Sequence, residues 1–324
     1  MEMTSARMLA ATEAGAEVVD VATGSARTTL QEPVRCVAAG PGGLALAGGA
    51  GGLWSSRDAG ESWERAELPE EADVFSVAVS TADAALYAGT EPSRLFASPA
   101  PGEPWDELEA LQRIPSRPQW RFPPRPWTHH VRWIAPSPHD PDRLLVGIEL
   151  GGVMLSTDRG RSFSDHRPGA ILDAHELGWH PRAEGRAYEV GGTGAAWSDD
   201  GGESWLEAAD GLEVHYCWAL AASPRDPEVW WIAAAPGPFQ AHGRQLADGH
   251  VYRRANGSWQ RLAGPLEVMP YALVATEEAL VMGLRDGRLR ISGDGGETWE
   301  ELPQRLGPLA ALAVAPVTGG PPPR

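Results

Sequence analysis

Positive charge is scarce in this chain. Its 324 residues carry 27 basic against 44 acidic side chains, a net charge of −17 with histidine neutral. Nucleic acids and anionic membrane surfaces recruit proteins through basic patches, so this balance points away from both as partners. Cysteine is nearly absent. The two thiols, Cys36 and Cys217, suit a reducing cytoplasm. The stretch from Met1 to Arg7 lacks the basic region and apolar run of a secretory signal, and no apolar run is long enough to span a bilayer. Glycine, at 38, and proline, at 29, are plentiful and fit a chain with many tight turns. With 42% apolar residues the chain can bury a sizeable core.

One phrase recurs. Ser-x-Asp-x-Gly-x-Ser/Thr-Trp/Phe occurs at Ser56 to Trp63, Ser156 to Phe163, Ser198 to Trp205 and Ser292 to Trp299. Ser98 to Trp105 is a worn copy with Ala100 in place of the Asp, and Arg253 to Trp259 is another, one residue short. The closing aromatics fall at 63, 105, 163, 205, 259 and 299, which marks an array of similar units. Each copy sits between two short apolar runs and reads as a hairpin. Asp58, Asp158, Asp200 and Asp294 are placed to accept backbone N–H groups across the turn, so they read as staples and not as catalysts.

Working outward gives four strands per unit. In the third unit they are predicted at 130–135, 144–148, 153–156 and 162–165. In the fourth they fall at 175–179, 187–190, 195–198 and 204–207, and in the fifth at 215–221, 229–233, 250–254 and 258–262. Four short strands in a repeat of this length predict a propeller blade. Six copies give six blades. The ends supply a seventh, because 309–314 reads as a first strand, while 8–11, 17–21 and 27–30 read as the other three. Joined in one blade, the termini close the ring and leave no open edge. The expectation is an all-β, seven-bladed propeller over 1–324 as one domain, with six blades as the alternative and 316–324 as a flexible tail.

The phrase resembles the Asp-box of the sialidase-type repeat proteins, also called BNR repeats, over about Val34 to Leu302. That resemblance implies the propeller fold. It leaves the activity open, since the superfamily includes sialidases, xyloglucan-active glycosidases, sortilin-like receptors and photosystem assembly factors. A sialidase would bring an arginine triad, a Tyr–Glu pair and an early Arg-Ile-Pro motif. Here Arg113-Ile114-Pro115 lies in an insertion after the second blade, and only 5 tyrosines are present, so a sialidase proper is not expected.

In a propeller the C-to-D turns mark one face, and the opposite face holds the mouth around the axis. Aligning the starts of the first strands puts Val34, Val74, His130, His175, His215, Met269 and Pro308 in one position. Two long insertions, 107–128 and 236–249, open on the same top face, and long loops in a compact domain are commonly functional. Three imidazoles converging from one side suit a divalent metal, Zn, Mn or Fe, with a bound water. His130, His175 and His215 are therefore the candidate ligands. Glu149, Arg132 and Glu176 are the candidate catalytic residues, and His129, Tyr216, Trp127, His242 and His250 are candidate substrate contacts. A metal-dependent hydrolase or lyase acting on a small molecule in the cytoplasm is the leading expectation. A protein- or peptide-binding propeller and a glycoside hydrolase are the alternatives.

Overall fold

The structure, a computed structural model, describes residues 7–123, 128–243 and 246–315. Seven antiparallel sheets succeed one another along the chain, six of four strands and one of three. Blade one is Cys36–Ala39, Ala45–Gly49, Gly52–Ser56 and Glu64–Ala66, and blade two is Asp73–Val79, Leu86–Glu91, Leu95–Ser98 and Asp106–Glu107. Blade three is Val131–Pro136, Leu144–Ile148 and Gly152–Ser156. Its fourth strand is reduced to one bridge between Leu155 and Ser164, where the sequence predicted 162–165. Blade four is Ala174–Trp179, Ala187–Gly191, Gly194–Ser198 and Leu206–Glu207. Blade five is Tyr216–Ala222, Trp230–Ala235, Gly249–Ala255 and Ser258–Leu266, and blade six is Pro270–Ala275, Leu280–Leu284, Leu289–Ser292 and Glu300–Glu301. Blade seven joins Leu309–Ala315 to Arg7–Thr12, Gly15–Asp20 and Ser25–Leu30. The terminal closure and the seven-blade count predicted from the sequence are both present.

The four Asp-boxes are built alike. In the third copy Ser198 Oγ donates to Asp200 Oδ1 at 2.7 Å, and Gly202 N donates to Ser198 Oγ at 2.9 Å. Ser204 N donates to Asp200 Oδ1 at 2.9 Å and Ser204 Oγ to Asp200 Oδ2 at 2.6 Å. Gly202 has φ +85°, and a Cβ there would lie 2.7 Å from Leu145 Cδ2, so this position takes no larger residue without strain. The short copy solves the same turn differently: Asn256 and Gly257 both have positive φ, the two-residue hairpin that Asn-Gly favours. Since Asp200 holds three hydrogen atoms at once, Asp200→Ala is expected to cost about 2 kcal/mol. Urea unfolding monitored by tryptophan fluorescence measures it.

Between the blades the apolar faces pack as local clusters. One sets Trp230 against Tyr188 and Trp259 between blades four and five. The insertion at 107–128 is anchored in another: Leu111, Ile114 and Trp120 are buried against blades two and three. Ile114 of the Arg-Ile-Pro triplet is thus a packing residue, and Trp120 is not a contact over the mouth. Cys36 and Cys217 are both buried and free. No helix among the described residues is long and apolar enough to cross a membrane.

A candidate site at the axial mouth

The first strand of each blade lines the axis, and a bulge at its top end sets what points inward. Phe75, Arg132, His175, Trp218, Tyr271 and Ala310 are each skipped in the pairing of the first strand with the second. Arg35 stands at the matching place in blade one, just before the Cys36–Gly48 pair. A bulge adds one residue, bends the strand and re-aims its side chain. These seven residues form one tier around the axis. The residue before each is Val34, Val74, Val131, Ala174, Cys217, Pro270 or Leu309, and all are buried. Two residues before the tier come Asp73, His130, Asp173 and Tyr216.

Above the tier lies a cavity of about 690 Å³, lined among others by Phe75, Phe122, Arg132, Glu149, Asp173 and Trp218. Below it runs an axial channel of about 410 Å³ with mostly apolar walls. Arg35, Phe75, Arg132, Trp218 and Tyr271 line both, so they are the floor of one and the roof of the other. The second insertion supplies part of the upper wall through the short helix Pro238–His242. His242 pins it: Nε2 lies 2.8 Å from the Tyr216 hydroxyl and Nδ1 2.7 Å from the Tyr271 hydroxyl. Arg285 donates to the backbone carbonyls of His242 and Gly243 from behind. Burial, then the positive charges around it, push the His242 imidazole down to about 4, so it is neutral at pH 7.

The polar centre is on the blade three and blade four side. Glu149, at the top end of the second strand of blade three, accepts a hydrogen bond from His130 Nε2 at 2.6 Å. Arg132 Nε lies 3.7 Å from the same oxygen, and its guanidinium stacks on Trp218 at 4.5 Å. Burial raises the Glu149 carboxyl, but the His130 hydrogen bond and the charges of Arg132, His130 and His175 outweigh it and bring it down to about 2. Phe75 stacks on the His130 ring at 4.1 Å. His175 is fully buried, with Tyr216 and Trp218 against its ring. Its Nδ1 sits 2.7 Å from the Cys217 carbonyl, which can only accept, so Nδ1 carries a proton, and Nε2 is left without a partner among the described residues. Glu149, Asp173 and His175 have donor atoms within 4.8 Å of one another, a set that could hold a metal ion.

Several sequence-predicted residues meet here: His130, His175, Glu149, Arg132, Tyr216 and His242. Others do not. His215 is exposed and lies outside the cavity lining, so His130, His175 and His215 do not form one ligand set. The reason is register. The three occupy different places relative to the bulge: His130 two residues before it, His175 on it, His215 three before it. Glu176 is the residue below His175 and faces the channel, where its carboxyl accepts the Leu220 N–H at 3.1 Å. His129 accepts a hydrogen bond from Ser93 N and packs on Trp120. His250 is buried on the third strand of blade five, 3.1 Å from Asp248, away from the mouth. Trp127 lies outside the described residues. His139 and His180 do serve turns at the bottom, His180 Nδ1 accepting the N–H groups of Arg182 and Ala183. Sequence reasoning missed Asp173, Phe75, Trp218 and Tyr271. Asp173 had a signal, since it stands two residues from His175 on the same face of the strand.

No protein-family model matches this chain, and no curated protein does. Solved structures do. One is YCF48 bound to D1 peptide, 17% identical, covering 83% of this chain and 81% of that one, with a TM-score of 0.61. An ancestral GH74 enzyme is 18% identical over 82% of this chain, with a TM-score of 0.61. The GH74 enzyme of Niastella koreensis is 13% identical over 96% of it, with a TM-score of 0.63. The chain spans 38% and 66% of those two enzymes. Ring, terminal closure and stapled C-to-D hairpins together make this chain a seven-bladed β-propeller of the Asp-box type.

Proposed function

We propose that the axial mouth is the active site of a hydrolase or lyase for a small molecule, assisted by a divalent cation. The observation that carries this reading is the gathering of buried and half-buried ionisable groups on one cavity of about 690 Å³. That volume fits a metabolite-sized ligand, and its aromatic walls with a few convergent polar groups are what such sites use. The roles divide by environment. Glu149 stays ionised near neutral pH and serves as a base or ligand, not as an acid. Arg132 faces the cavity and can stabilise negative charge developing on a substrate oxygen. Burial and the charges of Glu149 and Asp173 hold the Tyr216 phenol protonated, so it serves as a hydrogen-bonding hydroxyl, with neutral His242 as its partner. Two free buried thiols suit a reducing compartment for the protein.

Turnover of a panel of aryl esters, lactones and aryl glycosides tests the reading. Glu149→Gln is expected to lower kcat/KM by at least ~100-fold, the scale of a lost general base. Unchanged turnover in a folded Glu149→Gln protein rejects it.

A second reading is favoured by two exposed apolar side chains on the insertion at the rim. Phe239 is 80% exposed and Leu246 67% exposed. Such residues suit a peptide or protein partner, and one similar structure holds a peptide. Under this reading Phe239→Asp abolishes a stoichiometric complex in size-exclusion chromatography, and Glu149→Gln leaves that complex intact.

A further inference from the structure

We propose that His175, Asp173 and Glu149 are the protein ligands of a single divalent transition-metal ion at the cavity wall. The assignment deepens the functional reading above, and rests on it only for what the ion does there.

The argument starts from an orphaned atom. His175 Nε2 is buried and has no hydrogen-bond partner among the described residues. An unsatisfied buried polar atom costs about 1–3 kcal/mol, so a folded protein has reason to fill it. The imidazole cannot rotate to escape, because its Nδ1–H is held by the Cys217 carbonyl at 2.7 Å. A backbone carbonyl on the far nitrogen is what orients a metal-bound histidine and fixes its tautomer. Nε2 points at Asp173, whose Oδ2 is 3.6 Å away, too far for a hydrogen bond and suited to a shared ion. The other Asp173 oxygen, Oδ1, is also buried without a partner. Glu149 completes the set, all three donor atoms lying within 4.8 Å of one another. Small side-chain rotations bring them onto one ion at about 2.0–2.2 Å.

The surroundings are arranged for this. Asp173 and His175 stand on alternate positions of one strand start, and Glu149 comes from the neighbouring blade. His130 donates to Glu149 and is a positioning residue, not a ligand. Two carboxylates balance a 2+ charge. Glu149 and Asp173 both line the cavity, so an open coordination position faces substrate. One nitrogen with two oxygens and no thiolate favours Mn²⁺, Fe²⁺ or Zn²⁺. Ca²⁺ would want about six to eight oxygens, and the set offers two carboxylates and a nitrogen.

The test uses tag-free full-length protein stripped with chelator. Mn²⁺ and Zn²⁺ are titrated separately by calorimetry, and bound metal is counted after dialysis by mass spectrometry. One equivalent is expected, with a rise in melting temperature that chelator reverses. Asp173→Asn and Glu149→Gln, close in shape to the native side chains, should each weaken binding by at least ~10-fold, and His175→Ala by ~100-fold or more. His215→Ala should bind as the native protein does. No stoichiometric ion, or binding unchanged in His175→Ala and Asp173→Asn, overturns the assignment. Stoichiometric metal without turnover of any substrate defeats the enzymatic reading alone. Turnover unchanged in metal-free protein that still binds one equivalent on reloading defeats the cation's part in the enzymatic reading alone.

Discussion

A chain ending at Pro308 is expected to lose cooperative folding. The strand Leu309–Ala315 is the innermost strand of blade seven and pairs with Arg7–Thr12 from Arg7↔Ala315 to Thr12↔Leu309. Leu309 and Ala315 are almost fully buried. Leu309 belongs to the packing against blade six and Ala315 to the packing against blade one, so one strand closes both seams. A backbone bond to blade six adds to this, Leu309 N donating to the Arg285 carbonyl at 2.9 Å. Buried apolar groups and ladder hydrogen bonds together put the loss on the order of 5–10 kcal/mol, as large as the whole stability of an ordinary domain. Removal also leaves the strand Arg7–Thr12 as an unprotected edge beside the axis, open to pairing with another chain. The expected result is loss of a two-state thermal transition by circular dichroism, with aggregation. A peptide covering 307–324 supplied in trans should restore the transition. A truncated protein melting at the native midpoint would show that the ring does not need its terminal strand.

The same strand shows why the fold could be read from the sequence. Each Asp-box ties a serine, an aspartate and a glycine within eight residues, so its signature is local and survives in the chain as spelling. Counting outward from it fixes blades and, at the ends, the shared blade. The site is different. What reaches the axis depends on a bulge at the top of each first strand, and a bulge has no spelling of its own. One extra residue moves a side chain from a blade seam to the mouth. Hence Glu176 faces the channel and not the mouth, and His215 does not align with His130 and His175. A better ruler was present: the small or apolar residue just before the bulge, from Val34 through Ala174 to Leu309, is buried in every blade. Aligned on that residue, Asp173 and His130 share one position and Arg132, His175 and Trp218 the next. The hydrogen bond that orients the His175 imidazole, to the Cys217 carbonyl of the next blade, is a tertiary contact that no local pattern announces.

Glu176→Gln is expected to stabilise the protein, and to do so only away from acid. The Glu176 carboxyl is partly buried and lines the channel, with the Leu220 N–H as its hydrogen-bond donor. Burial pushes it up to about 8, against the lesser pull of that hydrogen bond and of Arg132. In the unfolded chain the same group ionises near its ordinary 4.5. Its folded pKa is therefore raised, which for a carboxyl means that ionisation favours the unfolded chain. Below about 4.5 both states hold the proton and there is no penalty. Between 4.5 and about 8 the unfolded chain releases the proton and the folded protein keeps it, so stability falls with rising pH and then levels. Glutamine cannot ionise, fills the same space and still accepts from Leu220. The gain should be negligible at pH 4 and on the order of 3 kcal/mol at pH 8, reduced from the full linkage value because the channel admits water. Urea unfolding at pH 4, 6 and 8 measures it. Glu149 runs the other way, its folded pKa of about 2 giving stability present above 4.5 and lost as pH falls. A Glu176→Gln gain of equal size at every pH would mean that the effect is packing and not a retained proton.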